Sequence, residues 1–194
     1  MSAALAPYGF IPVKHPSGQN RAVAYPIQNS SGTGYNTNIF KGDTVILNTA
    51  GYITIGTAAT DLLGVFAGCE FQDATGKPTV SNFWPASQTL INSTYVPTAW
   101  VWDDPATYFS VQANGSIAQS ALGDQADIVT TTAGSTATGI SGQALNSTLA
   151  GAGVQGQFRI VDIDRDINNA FGDAFTKVIV QIARHQYVAN KVAI

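Results

Sequence analysis

Residues 99–115, AWVWDDPATYFSVQANG, constrain this chain more than any other stretch, because the period of two they carry has no helical reading. Large and small apolar side chains alternate through Ala99–Trp102. The same alternation sets Phe109, Val111 and Ala113 against Tyr108, Ser110 and Gln112. Asp103-Asp104-Pro105 lies between the two runs. Asp turns bond their own backbone, and proline presets φ while offering no N–H to a ladder. The stretch therefore reads as a hairpin, with Asn114-Gly115 as the next reversal. Trp100 and Trp102, one residue apart on a strand, should share a face, which either packs beneath a second sheet or anchors a protein interface. The two adjacent carboxylates would need separated environments and a nearby nucleophile or third ligand to do chemistry, and nothing local supplies one.

The same grammar runs along the chain. Residues 7–13 (PYGFIPV) are apolar but interrupted by two prolines, so they form an extended arm or an edge, not a central strand. A turn at His15-Pro16-Ser17-Gly18 ends the arm, and residues 21–27 begin a strand. Residues 44–47 and 52–55 are strands reversed through 48–51, followed by a long strand at 62–71 and another at 78–84. Residues 116–122 hold a short helical turn closed by Gly123, and a strand follows at 126–130. Residues 131–156 are too rich in Gly, Ser and Thr for a helix; they read either as a surface loop or as an extended excursion ordered by a neighbouring subunit. Strands at 158–163 and 176–183 complete about eleven, well above the share of a mixed domain. The expected fold is all-β, an antiparallel β-barrel or sandwich. An extended arm occupies residues 1–20 and the all-β domain residues 21–194.

Composition narrows the function. Charged residues make up 11% of the 194, against about 25% in ordinary domains. The net charge is −3, and the nine basic residues are scattered singly, so no stripe tracks phosphates and nucleic acid is not an expected partner. No run is long enough to cross a bilayer, and no membrane partner is expected. Residues 1–6 lack a basic segment and lead straight to Pro7, which does not read as a signal peptide and points to a cytosol-like site of synthesis. A weakly charged polar surface suits a protein packed against other proteins. The single cysteine, Cys69, sits in an apolar strand pattern and reads as a small buried hydrophobe.

Candidate chemistry is sparse. From Asp162, oxygen-bearing side chains fall at places one, three, five, seven and twelve (Asp162, Asp164, Asp166, Asn168, Asp173), echoing a calcium loop. Place six is Ile167 where the sharp turn wants Gly, and a strand with Val161 and Ile163 facing inward would turn these aspartates outward without a metal. His15 and His185 lie near opposite ends of the chain, outside any hydrolase or zinc motif, and read as polar residues near strand ends. No catalytic residue, metal or cofactor is expected.

In succession, Ala6-Pro7-Tyr8-Gly9-Phe10, residues 41–47 (KGDTVIL), the strand at 64–71, Phe83-Trp84-Pro85-Ala86, Val101-Trp102-Asp103-Asp104-Pro105, residues 109–113, residues 135–142 and His185-Gln186 resemble the structural cement proteins of tailed-phage capsids, decoration proteins of the β-tulip kind. The resemblance runs over nearly the whole chain. It implies a non-enzymatic protein on the outer surface of the virion, binding the phage major capsid protein as a homotrimer and clamping neighbouring capsid subunits. It carries over no contact residues. On physical grounds the interface candidates are Pro7, Tyr8, Phe10 and Ile11 of the arm, whose apolar side chains would be exposed in water, together with Trp100 and Trp102. On this reading, deleting residues 2–13 should leave the β core folded. The competing class is a virion adhesin or carbohydrate-binding β module in which Trp84, Trp100 and Trp102 stack on sugars.

Overall fold

The structure, a computed structural model, describes residues 4–188; residues 1–3 and 189–194, the outer ends of the arm and of the all-β domain, lie outside the described residues. In chain order the strands are β1 (Ile11–Lys14), β2 (Val23–Pro26), β3 (Asn29–Ser30), β4 (Thr33–Gly34), β5 (Ile39–Phe40), β6 (Thr44–Leu47), β7 (Ile53–Ile55) and β8 (Gly64–Gln72). They continue with β9 (Pro78–Ser81), β10 (Phe83–Trp84), β11 (Thr98–Trp102), β12 (Tyr108–Gln112), β13 (Gln125–Thr130), β14 (Gln143–Leu149), β15 (Phe158–Ile163) and β16 (Lys177–Ile182). A single 3-10 turn at Gln119–Ala121 is the helical segment expected before Gly123.

Twelve of the sixteen strands form two large antiparallel sheets, and β3-β4 and β5-β10 make two small two-stranded ones. One runs β1-β12-β16-β15-β13-β14; the other runs β2-β11-β8-β6-β7, with β9 added along the second half of β8. Neither closes into a barrel, yet each curls far enough for an isolated bridge to span it. Ala113, just past β12, bridges Leu145 of β14, and Ile27, just past β2, bridges Ile53 of β7. Each curl encloses its own core. Phe109, Val111, Phe158, Ile160, Val178 and Val180 pack in the first, while Ile39, Val45, Phe66, Trp84 and Val101 pack in the second. The long strand β8 serves both: Val65 points into the first core and Phe66 into the second. Strict alternation on a strand buried on both faces produces this division.

Three sequence expectations change here. The stretch 99–112 is not a hairpin. Strand β11 pairs with β2 and β8, and β12 with β1 and β16, so neither has an edge left for the other. Asp104 explains the geometry: its carboxylate accepts the Ala106 N–H at 2.8 Å and its carbonyl the Thr107 N–H at 3.0 Å, a turn that carries the chain through the corner between sheets. Within 131–156, residues 143–149 are strand β14, paired with β13 and burying Ala144 and Leu145; only the flanks are loop. In β15, Phe158 and Ile160 face inward and Val161 faces out, as period-two alternation from the buried Phe158 requires, so Val161 is not the inward residue expected.

Prolines sit where the sheets can spare a donor. Pro12, Pro26 and Pro78 lie on β1, β2 and β9, each a strand at a sheet margin. In a chain with so few charges, these prolines discourage edge-to-edge pairing.

Cys69 is buried, its Sγ–H donating to the Phe83 carbonyl at 3.4 Å, and burial pushes the thiol up to about 12. Cys69→Ser is expected to cost about 1–3 kcal/mol in urea unfolding, since the shorter C–O bond draws the hydroxyl away from that one acceptor. Stoichiometric labelling of native protein by a bulky thiol reagent within seconds would contradict this burial.

Candidate assembly surface

The arm is bound to the β domain of its own chain. The Gln112 side chain accepts the Ala6 N–H at 2.8 Å and donates to the Ala4 carbonyl at 3.0 Å, pinning residues 4–6 along β12. Half-buried Pro7 follows, and the Tyr8 hydroxyl bonds Ser110 Oγ at 2.9 Å, which in turn donates to Asp164 Oδ2 at 2.6 Å. Burial raises the Tyr8 phenol above its ordinary range.

Phe10 corrects the expectation of an exposed apolar arm. It is fully buried, its ring stacked on Phe158 with centroids 4.3 Å apart, and its N–H donates to the Gly42 carbonyl at 2.9 Å. The preceding residue must be glycine: Gly9 has φ +74°, and a Cβ there would lie 2.6 Å from the Gly42 oxygen. Phe10 is therefore a core residue and cannot touch a partner. Among its described residues, the large apolar groups the arm does show to solvent are Leu5 at 38% exposure and, on β1, Ile11 at 46% and Val13 at 47%. The arm is an edge strand with a buried anchor.

Trp100 and Trp102 lie on the face of β11 opposite Ala99 and Val101, as expected, but differ in burial. Trp102 is half-buried and packs against the first core, whereas Trp100 is 37% exposed on the outer face of its sheet. The two residues across from Trp100 are Ala24 on β2 and Gly68 on β8, so small neighbours leave the indole standing proud. Two strands over, Val80 of β9 is 83% exposed. Trp84 is wholly buried with its indole N–H donating to the Tyr35 carbonyl at 2.9 Å, so it offers no platform for a sugar. Of the three aromatic rings the carbohydrate reading required, only Trp100 remains available.

Tertiary structure brings together residues that lie far apart in sequence. The turns that cross between sheets meet at one corner, where His15, Arg21, Asp103, Asp104, His185 and Tyr187 border a cleft of about 510 Å3. His185 is a wall of this cleft. Its Nδ1 accepts the Tyr187 N–H at 3.1 Å, so the proton resides on Nε2, which faces the Asp103 carbonyl at 2.8 Å. Both ring nitrogens are thereby occupied by backbone. Tyr25 donates its hydroxyl to Asp103 Oδ2 at 2.7 Å, which distinguishes that carboxylate from its neighbour. His15 Nδ1 accepts the Ser17 N–H at 3.1 Å and lies 2.6 Å from Ser17 Oγ; its Nε2 lies 3.0 Å from Asp104 Oδ2, ion-pair distance without hydrogen-bond alignment. The Nδ1 lone pair is shared by two donors that close the turn, so the arrangement locks a loop.

The carboxylates of 162–173 are each engaged separately. Asp162 pairs with Arg165 at 3.3 Å, Asp164 accepts from Ser110, Asp166 pairs with Lys177 at 3.2 Å, and Asp173 accepts the Ala170 N–H at 2.9 Å. Among the described residues no three His, Cys, Asp or Glu side chains are grouped as metal ligands.

The outer surface combines these features. Fourteen large apolar side chains among the described residues are more than a third exposed, concentrated on edges and loop tips. No protein-family model, curated protein or solved structure matches this chain.

Proposed function

We propose that this chain is a structural protein of a phage head, a cement or decoration protein that binds the outer surface of the capsid and clamps neighbouring major capsid subunits. The observation that carries the reading is the surface. Charged residues are 11% of the chain, and the gaps between them are filled by uncharged polar groups and by exposed apolar residues such as Ile11, Val13, Val80 and Trp100. Such a surface suits extended contact with protein, in which depletion of charge and desolvated aromatics carry the affinity. Two separately packed β cores joined through β8 make a stiff body, which a clamp under mechanical load requires. The ordered succession of motifs resembling phage cement proteins supplies the partner.

Co-sedimentation of the purified full chain with undecorated, expanded heads tests the reading. Saturable binding is expected, weakened at least tenfold by Trp100→Ala or by the pair Ile11→Ser and Val13→Ser. Absence of saturable binding by the folded protein would overturn it.

A further inference from the structure

The chain has only two histidines, and the fold sets both at one cleft although they stand near opposite ends of the sequence. Convergence alone decides nothing. What distinguishes the pair is the form each ring is made to take. His15 Nδ1 accepts the Ser17 N–H and His185 Nδ1 the Tyr187 N–H, each at 3.1 Å, so in both rings the lone pair is on Nδ1 and the proton on Nε2. Each Nδ1 closes a turn. The Gly18 N–H reaches the His15 carbonyl at 2.9 Å in one, and the Val188 N–H reaches the His185 carbonyl at 3.1 Å in the other. An imidazolium carries a proton on both nitrogens, so a second proton on either ring sets N–H against N–H and the turn loses its lock.

These turns hold the junction between the two large sheets. Residues 15–22 carry the chain from β1 of the first sheet to β2 of the second, and residues 103–107 carry it back from β11 to β12. His185 fastens the return crossing, its Nε2–H donating to the Asp103 carbonyl at 2.8 Å. The backbone around His185 is in turn fastened ahead of β8: the Leu62 N–H donates to the Arg184 carbonyl and the Gln186 N–H to the Leu62 carbonyl, each at 2.9 Å. Imidazole is the one side chain whose ordinary titration falls between about pH 5 and about pH 8.

The groups around the rings differ. Asp104 Oδ2 lies 3.0 Å from His15 Nε2, and Ser17 Oγ, 2.6 Å from His15 Nδ1, can accept the proton that a charged ring would carry there. A charged His15 thus has a partner on each nitrogen, and the bond it gives up is the one to the Ser17 N–H. Buried His185 faces the Tyr187 ring, with centroids 5.8 Å apart, while Arg21 and the Asp103 carboxylate, held by Tyr25, border the same cleft. Arg159 of β15 and His185 are both walls of a second cleft of about 250 Å3. Of the chain neighbours, Arg184 is paired with Asp61 at 2.8 Å, and Lys14 lies over the Tyr108 ring. A cation on His185 reaches water only when its turn opens.

We propose that His15 and His185 form an acid-released latch at this corner. Neutral imidazoles close the turns at 15–18 and 185–188; protonation opens both and frees the 103–107 crossing from His185 while the two cores stay packed. The latch is independent of the cement reading, since it concerns how the sheets of one chain are held together.

Magnetic resonance of the isotope-labelled full chain tests this. At about pH 7.5 both rings are expected in the Nε2–H form. On acidification to about pH 5, across the ordinary imidazole value of about 6.5, the Ser17 and Tyr187 amides should lose at least fivefold in protection from hydrogen exchange, measured against intrinsic rates, while Val111 and Val180 of the first core keep theirs. His15→Asn combined with His185→Asn places an amide oxygen, which does not titrate, close to where each Nδ1 stood. In that variant the protection of Ser17 and Tyr187 should not vary with pH. An Nδ1–H form of either ring at neutral pH would overturn the proposal, as would Ser17 and Tyr187 protection that is unchanged on acidification or falls equally in the double variant. Should the double variant fail to fold, the ring forms and exchange of the unaltered chain decide alone.

Discussion

Phe10→Ala is expected to destabilise the protein by about 3–5 kcal/mol, the range for truncating a fully buried aromatic side chain. The ring loses its stacking on Phe158, and the cavity opens where Gly9 and Gly42 approach too closely for the backbone to relax inward. For a chain of this size such a loss corresponds to a fall in melting temperature of about 6–20 °C. Deletion of residues 2–13 removes this ring, most of β1 and the tethers of Gln112 and Ser110. It should therefore yield an unfolded or aggregated chain. Urea unfolding of Phe10→Ala settles the matter: a change within about 1 kcal/mol of the unaltered protein would mean that Phe10 is dispensable to the first core, and a soluble, cooperatively melting deletion would restore the detachable arm.

The second large effect concerns Asp43, which is 2% exposed in the turn before β6. Its carboxylate accepts the Phe40 N–H at 2.7 Å and the Ser141 hydroxyl. Ser141 passes the network to Gln143, whose amide oxygen accepts from the Thr44 N–H at 2.8 Å, so one buried polar chain joins the turn to the start of β14. These hydrogen bonds favour the ion, yet burial outweighs them and the carboxyl is raised to about 6, against 3.8 when exposed. As pH falls through 6, the folded state takes up a proton that the unfolded chain does not bind until about 4. The contribution of this group to stability is thus greatest below about pH 4 and is lost as pH rises through 6. Relative to Asp43→Asn, which cannot titrate, the unaltered protein should gain about 2 kcal/mol between pH 7 and about pH 4.5. Parallel pH dependence of the two proteins in urea titrations would show that Asp43 is solvated in the folded state.

Period-two patterning and turn chemistry were enough to locate most strands, because both are local. Residues 44–47 and 62–71 read as strands, observed at Thr44–Leu47 and Gly64–Gln72, since each side chain needs only to know which face it is on. Gly123 marked the end of the 3-10 turn for the same reason, and Cys69 declared its burial through its apolar neighbours. Residues 143–149 escaped notice because Ala144 and Leu145 are embedded among Gly, Ser and Thr, whose small side chains suit the inside of a curled sheet but resemble a loop when read in line.

By itself, then, the sequence determined the all-β class, the turns, the prolines that had to fall on edges and the scarcity of charge. Only the tertiary structure decided pairing. Whether Asp103-Asp104-Pro105 reverses a chain or turns a corner depends on which edges β2, β8, β1 and β16 have already occupied, and those strands are contributed by segments as distant as Ile11, which pairs with Ser110. Exposure followed from pairing. Phe10 and Ile11 are adjacent and equally apolar, but a strand sends neighbours to opposite sides, and the stacking partner that makes one of them core, Phe158, arrives from the far end of the fold.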